Sequence, residues 1–264
     1  MYPYNRSAEG LIYHNTKAKV YPDGTRKVTY CTEAIFKEDG WELCEALKDP
    51  PDIQSKPKDM TNDPRSDNVK RAKDKVFDIA LLNRFEYFVT LTLDKEKIDR
   101  FDAKAVSKVL RKSFNNFQQR YNAKYLLIPE HHKDGAIHMH GLISGKFKLV
   151  DSGKRTKDGR PIYNLPQWKY GFSTAIEITG EQSNVAKYIT KYISKDFHKI
   201  FGAFYYAGGK DLKRTPPILL YDTEYEQINA KEYTNEASGR SFKYETLGPE
   251  IQENERIEEH EQSD

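Results

Sequence analysis

The sequence predicts an α+β fold in which helices pack on one face of an antiparallel β-sheet. Three observations favour this class: runs of β-branched and aromatic residues, two stretches whose apolar residues recur every three or four positions, and a turn that joins two of the predicted strands. In chain order the main elements are a strand, a helix, two strands, a further strand and a helix. That order is typical of an α+β sandwich of the ferredoxin-like kind.

The regular part of the chain begins with residues 85–93, FEYFVTLTL, whose β-branched and aromatic residues predict a central strand. Between residues 102 and 121 the apolar spacing predicts an amphipathic helix, with Asp102 as its N-cap. Residues 124–130 and 136–144 predict two strands. The turn HHKDG between them pairs these strands as a hairpin.

The second half of this region is less regular. Residues 145–170 are rich in glycine, lysine and proline, and this composition predicts a basic loop. Residues 172–179 predict another strand, and residues 182–195 predict a second amphipathic helix. Short apolar pieces after Phe197, AFYYAGG and PPILLY, predict one or two further strands.

The chain divides into four predicted regions. Residues 1–48 form an N-terminal β-hairpin region, because the strand-like runs of residues 11–36 flank a Pro-Asp-Gly turn. Residues 49–84 begin with a stretch that holds four prolines and few apolar side chains, which predicts a linker or mobile loop. Residues 85–230 form the main domain, and residues 231–264 predict an acidic, disordered tail.

Charge is unevenly distributed along the chain. The formal net charge is +3, yet residues 249–264 hold seven acids and one base, so that residues 1–248 carry +9. A basic body with an acidic tail favours a polyanionic partner such as DNA or RNA.

Composition also bears on the cellular compartment. No run approaches the roughly 18 apolar residues that span a bilayer, and the N-terminus lacks a charged start followed by an apolar block. We therefore expect a cytoplasmic protein without a membrane partner. The spacing of Cys31 and Cys44 fits no CxxC pattern, so both are expected to be reduced thiols.

The sharpest functional signal is the sequence HMH in the predicted strand 136–144. Side chains alternate along a strand, so His138 and His140 project from one face while their apolar neighbours face the helices. Glu130 ends the preceding strand, and pairing of the hairpin would bring its carboxylate beside His138. Two imidazoles and a carboxylate leave positions open for water and a phosphate oxygen, which suits Mg²⁺ or Mn²⁺. Taken alone, such a pair is more often two exposed histidines that bind no metal.

The second functional signal is the sequence NVAKYITKYISK, residues 184–195. Tyr188 and Tyr192 are four residues apart, so they are neighbours at the edge of the buried stripe of the predicted helix. Such tyrosines can bury their rings and expose their hydroxyls. Lys191 and Lys195 lie just beyond them, where they would hold a phosphate or favour the phenolate. Taken alone, the pattern is also that of an ordinary amphipathic helix with solvated lysines.

Together the two signals favour chemistry on a phosphodiester. A cation on an open sheet face would polarise the phosphodiester, and a nearby phenol would attack it. The products would be a 5′-phosphotyrosine and a free 3′-hydroxyl, from which a polymerase can begin copying.

Three segments resemble the ordered motifs of HUH endonucleases of the rolling-circle replication initiator type. They are FVTLTLD (88–94), HMHGL (138–142) and YITKYISK (188–195). The tandem-tyrosine form of the last motif is similar to replication proteins of small single-stranded DNA phages and plasmids. The resemblance implies an HUH endonuclease fold, with residues 85–230 as the catalytic domain.

The resemblance also implies a role for each matching residue. His138 and His140 match the paired metal ligands, and Glu130 occupies the place of the third polar ligand, with His132 as its rival. The last motif matches two nucleophiles and the lysine that follows each of them: Tyr188, Tyr192, Lys191 and Lys195. In such pairs one tyrosine nicks the origin and the other cuts the regenerated origin.

A protein of this type would nick and rejoin single-stranded DNA at a replication origin, expected to be a hairpin, in a bacterial host cell. The sequence contains no GxxxxGK[ST] segment, so we expect a host helicase to open the strands and a host DNA polymerase to extend the 3′ end. One alternative is an HUH-type transposase or a mobilisation relaxase, although relaxases usually place the tyrosine before the histidines. Another is a non-catalytic nucleic-acid-binding regulator that uses the sheet as a platform.

Overall fold

The computed structural model of the chain describes residues 5–6, 11–38, 66–195, 200–221, 230–234 and 241–248. The chain forms two units. A central unit comprises residues 60–215, and a terminal unit comprises residues 1–59 together with 216–264.

Helices and strands alternate irregularly along the chain. The helices are α1 (Ser66–Leu82), α2 (Ala103–Tyr121), α3 (Gln182–Thr190) and α4 (Tyr192–Lys195), with a 3-10 turn at Ile200–Gly202. The strands are β1 (Asn5–Arg6), β2 (Leu11–Val20), β3 (Arg26–Glu38), β4 (Tyr87–Thr92), β5 (Lys124–His131), β6 (Ile137–Ser144), β7 (Val150–Arg155), β8 (Pro161–Asn164), β9 (Ser173–Glu177), β10 (Tyr206–Gly208), β11 (Ile218–Tyr221), β12 (Lys231–Thr234) and β13 (Ser241–Leu247).

The central unit is built on one sheet with the strand order β10-β5-β6-β4-β9-β8-β7, in which every neighbouring pair is antiparallel. The predicted α+β class with an antiparallel sheet is therefore confirmed. The predicted hairpin is confirmed as β5 and β6, and the strand predicted over residues 85–93 is β4, which lies between β6 and β9.

One face of this sheet carries the main hydrophobic core. Helix α2 packs there with Val106, Leu110, Phe114 and Phe117 against sheet residues that include Val89, Leu91 and Met139. Asp102 caps the helix as predicted, because its carboxylate accepts hydrogen bonds from the backbone N–H groups of Lys104 and Ala105. The helix therefore begins where the sequence predicts.

The opposite face also carries helices, whereas the sequence predicted helices on one face. Leu126, Ile128 and Leu142 alternate with the core-facing residues and are almost fully buried. Helices α1 and α4 contact β5, and α1 packs against α3. The second face needs this cover because its own apolar side chains would otherwise meet water.

Helix α1 lies inside residues 49–84, where a linker was predicted, so that prediction is wrong for Ser66–Leu82. Val69, Ala72, Val76 and Ile79 recur at three- and four-residue steps and are buried. Charged residues between them lower the mean hydropathy of the segment and hide this period. Residues 49–65 lie outside the described part of the chain.

Two further predictions for the central unit are corrected. The predicted basic loop 145–170 contains the hairpin of β7 and β8, whose strands are largely exposed and therefore lack an apolar alternation. The helix predicted over residues 182–195 is interrupted at Lys191, where the backbone N–H donates to the carbonyl of Tyr188 rather than continuing the α-helical pattern.

The terminal unit contains a second antiparallel sheet with the order β1-β2-β3-β13-β12, and β11 pairs with β2. The predicted N-terminal hairpin is confirmed as β2 and β3. Strands β12 and β13 lie in the region predicted as a disordered tail, because the acidic residues that suggested disorder are concentrated after residue 248. Residues 249–264 lie outside the described part.

The short apolar pieces predicted as strands near the end of the chain are β10 and β11. Cys31 is a buried free thiol, and Cys44 lies outside the described residues. Among the helices that the structure describes, none has the length and apolar character needed to cross a membrane.

Gly141 allows β5 and β6 to approach closely beside the two histidines. A Cβ at this position would lie 2.5 Å from the carbonyl oxygen of Leu126 and would clash with Leu127. We predict that Gly141→Ala lowers the free energy of unfolding by about 1–3 kcal/mol, because backbone atoms must move to admit the methyl group. Urea denaturation followed by circular dichroism measures the change.

Gly248→Ala is the matched control, since no atom lies within 4 Å of its added Cβ. Equal urea midpoints for Gly141→Ala and the unmodified protein would contradict the close approach of the strands.

Candidate metal centre and tyrosine pair

The pairing of β5 with β6 brings two imidazoles and a carboxylate together. Glu130 lies directly opposite His138 in the antiparallel register, and His140 follows two residues later on the same face. The Nε2 atom of His140 lies 3.1 Å from Oε2 of Glu130, and the Nε2 atom of His138 lies 3.6 Å from the same oxygen. All three side chains are mostly buried, with 12% to 15% of their surface exposed.

The chemistry of this donor set fits a divalent cation. Two neutral imidazole nitrogens and one carboxylate oxygen lie within 4.8 Å of one another. Ligands about 2.1 Å from an octahedral ion lie about 3 Å apart when they are adjacent, which is close to the observed separations. Glu130, His138 and His140, here called the triad, could therefore hold such an ion on one side and leave positions open.

Thr90 orients one of the two histidines. Its hydroxyl oxygen lies 3.1 Å from Nδ1 of His140, because Thr90 on β4 is directly opposite His140 on β6. When Nε2 of His140 acts as a ligand, Nδ1 carries the proton and donates it to the threonine hydroxyl. This contact fixes the ring plane and the tautomer that metal binding requires.

The two tyrosines lie on the same face of the sheet as the triad. The ring of Tyr192, at the start of α4, stacks on His140 with a centroid separation of 4.0 Å and an angle of 25°. The ring of Tyr188 packs edge-on against Phe88, with centroids 5.4 Å apart. The hydroxyl oxygens of the two tyrosines are 2.8 Å apart and share a hydrogen bond.

The two hydroxyls have different environments. Tyr188 is 47% exposed, whereas Tyr192 is 7% exposed. Burial raises the pKa of Tyr192 above its usual value, and the hydrogen bond with Tyr188 and the negative charge of Glu130 raise it further. The Tyr192 phenol is therefore held neutral at neutral pH, and Tyr188 is the more accessible of the pair.

The other predicted site residues are placed as follows. The Nζ atom of Lys191 lies 5.9 Å from the centroid of the Tyr188 ring, within the range of a cation–π contact. Lys195 ends α4, and its side chain lies outside the described part of the structure. His132 is not in the triad, because its Nδ1 faces the carboxylate of Asp134 at 3.2 Å.

Sequence reasoning did not identify Phe88 and Thr90 as parts of the site. The Phe88 ring lies within 6.2 Å of the rings of both tyrosines and of His140. The alternation of FVTLTL placed Phe88 and Thr90 on one face of their strand. Only the register between β4 and β6 shows that this face is the one with the histidines.

Comparison with known proteins identifies one related family. A model of the family described as replication-associated protein, of the ORF2 type, matches residues 86–197, which is under half of the chain. The matched segment contains the triad and both tyrosines. No curated protein and no solved structure matches the chain significantly.

The contact between Thr90 and His140 can be tested through metal binding. We predict that Thr90→Val weakens Mn²⁺ binding about ten- to hundredfold, because the imidazole loses the group that orients it while the side-chain volume is preserved. Isothermal titration calorimetry with Mn²⁺ measures the affinity, and Thr90→Ser should retain most of it.

Thr174→Val is the matched control. Thr174 is the partner of Thr90 on β9, is exposed, and lies on the same face of the sheet. A similar loss of affinity in both valine variants would contradict a specific role for the Thr90 hydroxyl.

Proposed function

We propose that this chain is a single-strand DNA endonuclease and strand-transferase that initiates rolling-circle replication with a tyrosine nucleophile. The observation that carries the proposal is the stacking of Tyr192 on His140 at 4.0 Å, with the hydroxyl of Tyr188 hydrogen-bonded to that of Tyr192. A group that can attack phosphorus thus lies directly beside a group that can hold a metal ion. The match to the replication-associated protein family supports a role in replication.

The proposed reaction is a transesterification. The phenolic oxygen of a tyrosine forms a bond to phosphorus, and the bond between phosphorus and the 3′ oxygen of the DNA breaks. The phenolic proton passes to solvent, and the departing 3′ oxygen takes up a proton. One phosphoester replaces another, so the strand can be rejoined by the reverse reaction without an external energy source.

The triad would hold Mg²⁺ or Mn²⁺, which prefer oxygen and imidazole ligands. When bound, such an ion supplies Lewis-acid polarisation of the phosphodiester. Thr90 fixes the ring of His140, and His140 in turn provides the surface on which Tyr192 rests. The protein side chains thus orient the nucleophile and the triad relative to each other before DNA binds.

Two tyrosines suit a reaction that must be carried out twice. One would nick the origin, and the other would cut the regenerated origin while the first still holds the 5′ end. Because their hydroxyls share a hydrogen bond, loss of one proton to the covalent linkage changes the environment of the other. Lys191 lies beside Tyr188, where its charge would favour the phenolate or contact the phosphate.

We propose single-stranded origin DNA, in a hairpin, as the substrate. A host helicase and a host DNA polymerase would act on the same DNA, and the basic residues 1–248 would attract it. An HUH-type transposase or relaxase would use the same chemistry on another DNA, whereas a regulator would use none.

The experiment that tests the function uses a labelled pool of single-stranded oligonucleotides of random sequence. With Mn²⁺ or Mg²⁺ present, we predict cleaved DNA and a covalent protein–DNA adduct on a denaturing gel, and we predict that EDTA removes both. Sequencing of the attached DNA would identify the preferred site. A metal-supplemented reaction that yields neither product would contradict the enzyme and leave the regulator.

Replacing both nucleophiles separates chemistry from binding. We predict that the double variant Tyr188→Phe, Tyr192→Phe forms no adduct, because phenylalanine keeps the ring packing and removes the attacking oxygen. Its Kd for single-stranded DNA, measured by fluorescence anisotropy, should stay close to that of the unmodified protein. Tyr233→Phe, which removes an exposed hydroxyl in the terminal unit, is the control and should form adducts normally.

Adducts that persist in the double variant would place the nucleophile elsewhere. Loss of DNA binding in the double variant would instead indicate that the hydroxyls contribute to recognition rather than to attack.

A further inference from the structure

Phe172 is an exposed aromatic residue whose side chain lies on the same face as the triad. Its backbone carbonyl accepts a hydrogen bond from the N–H of Thr92 at 2.9 Å, one residue beyond the pairing of Leu91 with Ser173. The Ser173 hydroxyl turns toward the core, where it accepts a hydrogen bond from the N–H of Leu165. Since side chains alternate along an extended chain, the ring of Phe172 projects from the opposite face.

That face places Phe172 in one row with the metal ligands. Thr92 is the partner of His138 across β4 and β6, and His138 is the partner of Glu130 across β6 and β5. The row across the sheet is therefore Phe172, Thr92, His138 and Glu130. Phe172 lies two strands from His138, which is about 10 Å at the usual strand spacing. A DNA strand covers this distance in at most about three nucleotides, since stacked neighbours are about 3.4 Å apart.

The backbone that carries Phe172 is firmly held. The N–H of Asp94 donates to the carbonyl of Tyr170 at 2.8 Å, and the indole N–H of Trp168 donates to the carbonyl of Thr92 at 3.1 Å. Gly171 lies so close to β4 that an added Cβ would be 2.7 Å from the backbone nitrogen of Asp94. An aromatic ring on such a backbone loses little conformational freedom when it binds a partner.

The surroundings of the ring favour a single planar partner. Phe172 is 76% exposed, and its neighbours on this face, Thr92 and Thr174, are polar. An isolated exposed ring is common on protein surfaces and needs no explanation by itself. Here the ring stands in line with the triad, in polar surroundings too small in apolar area for a protein interface. One nucleobase has the size and the π-face that match it.

We propose that Phe172 stacks on a base of the single-stranded DNA, within about three nucleotides of the phosphodiester that reaches the triad. The inference rests on the proposed function and adds a base-binding position to it. The stacked base would fix where along the strand the phosphodiester meets the tyrosines. Because every base has a π-face, this contact selects single-stranded over paired DNA rather than a particular sequence.

The test measures DNA binding in EDTA, so that no cleavage contributes. The probe is a labelled single-stranded oligonucleotide of mixed sequence, and the readout is the Kd from fluorescence anisotropy of the full chain. Phe172→Leu keeps an apolar side chain without a π-face, and we expect it to raise the Kd about five- to hundredfold. Phe172→Trp should bind at least as tightly as the unmodified protein, because the larger ring stacks better.

Two controls separate stacking from general effects. Val150→Ala shortens another exposed apolar side chain, 47% exposed on β7, and should leave the Kd unchanged. The same sequence as a duplex should bind Phe172→Leu and the unmodified protein alike. Irradiation of a bound strand that contains 5-iodouracil should attach DNA to Phe172, as identified by mass spectrometry.

Phe172→Leu that binds single strands as tightly as the unmodified protein would overturn the proposal, and so would equal weakening by the leucine and tryptophan variants. The adduct assay with Mn²⁺ distinguishes this failure from failure of the proposed function. Normal adducts together with unchanged binding by Phe172→Leu would remove only the stacking contact. Absent adducts together with weakened binding by Phe172→Leu would retain the contact and remove the enzyme.

Discussion

The pairing of β5 with β6 is the constraint on which the rest of the site depends. Glu130 and His138 are close because they are direct partners in this register, and His140 joins them because side chains alternate. A shift of one residue would send Glu130 to the core face and leave two imidazoles without their carboxylate. The close approach at Gly141 opposes such a shift, since only a residue without a Cβ fits between β5 and β4 at that point.

His140 connects the triad to the helical nucleophiles. One nitrogen faces Glu130, the other faces Thr90, and the ring face supports Tyr192. Each of these contacts limits a different freedom of the same imidazole: its tautomer, its rotation and its position relative to α4. Movement of the tyrosine helix would therefore disturb the ligand as well as the nucleophile, so metal binding and tyrosine position are expected to be linked.

Much of this site follows from local periodicity, and the remainder depends on long-range packing. Strand alternation predicts that His138 and His140 share a face, and a short hairpin predicts that Glu130 joins them. The spacing of Tyr188 and Tyr192 likewise predicts neighbours on one helix. No local pattern states on which side of the sheet that helix docks, so the stacking of Tyr192 on His140 and the role of Phe88 required the fold. Helix α1 was missed for a related reason, because the burial of its apolar stripe comes from contact with α3 rather than from its composition.

The alternation along β4 shows how one short segment can meet two requirements. Val89 and Leu91 face α2 and are fully buried, whereas Phe88, Thr90 and Thr92 face the tyrosines, the histidine ring and the row that ends at Phe172. Adjacent residues therefore affect different properties: a change at an odd position acts on packing, and a change at an even position acts on the site. A pattern of this kind looks like any half-polar strand when it is read alone. Its polar half acquires meaning only when the neighbouring strand brings two imidazoles to the same face, because a threonine hydroxyl that contacts an imidazole nitrogen determines what that nitrogen can bind.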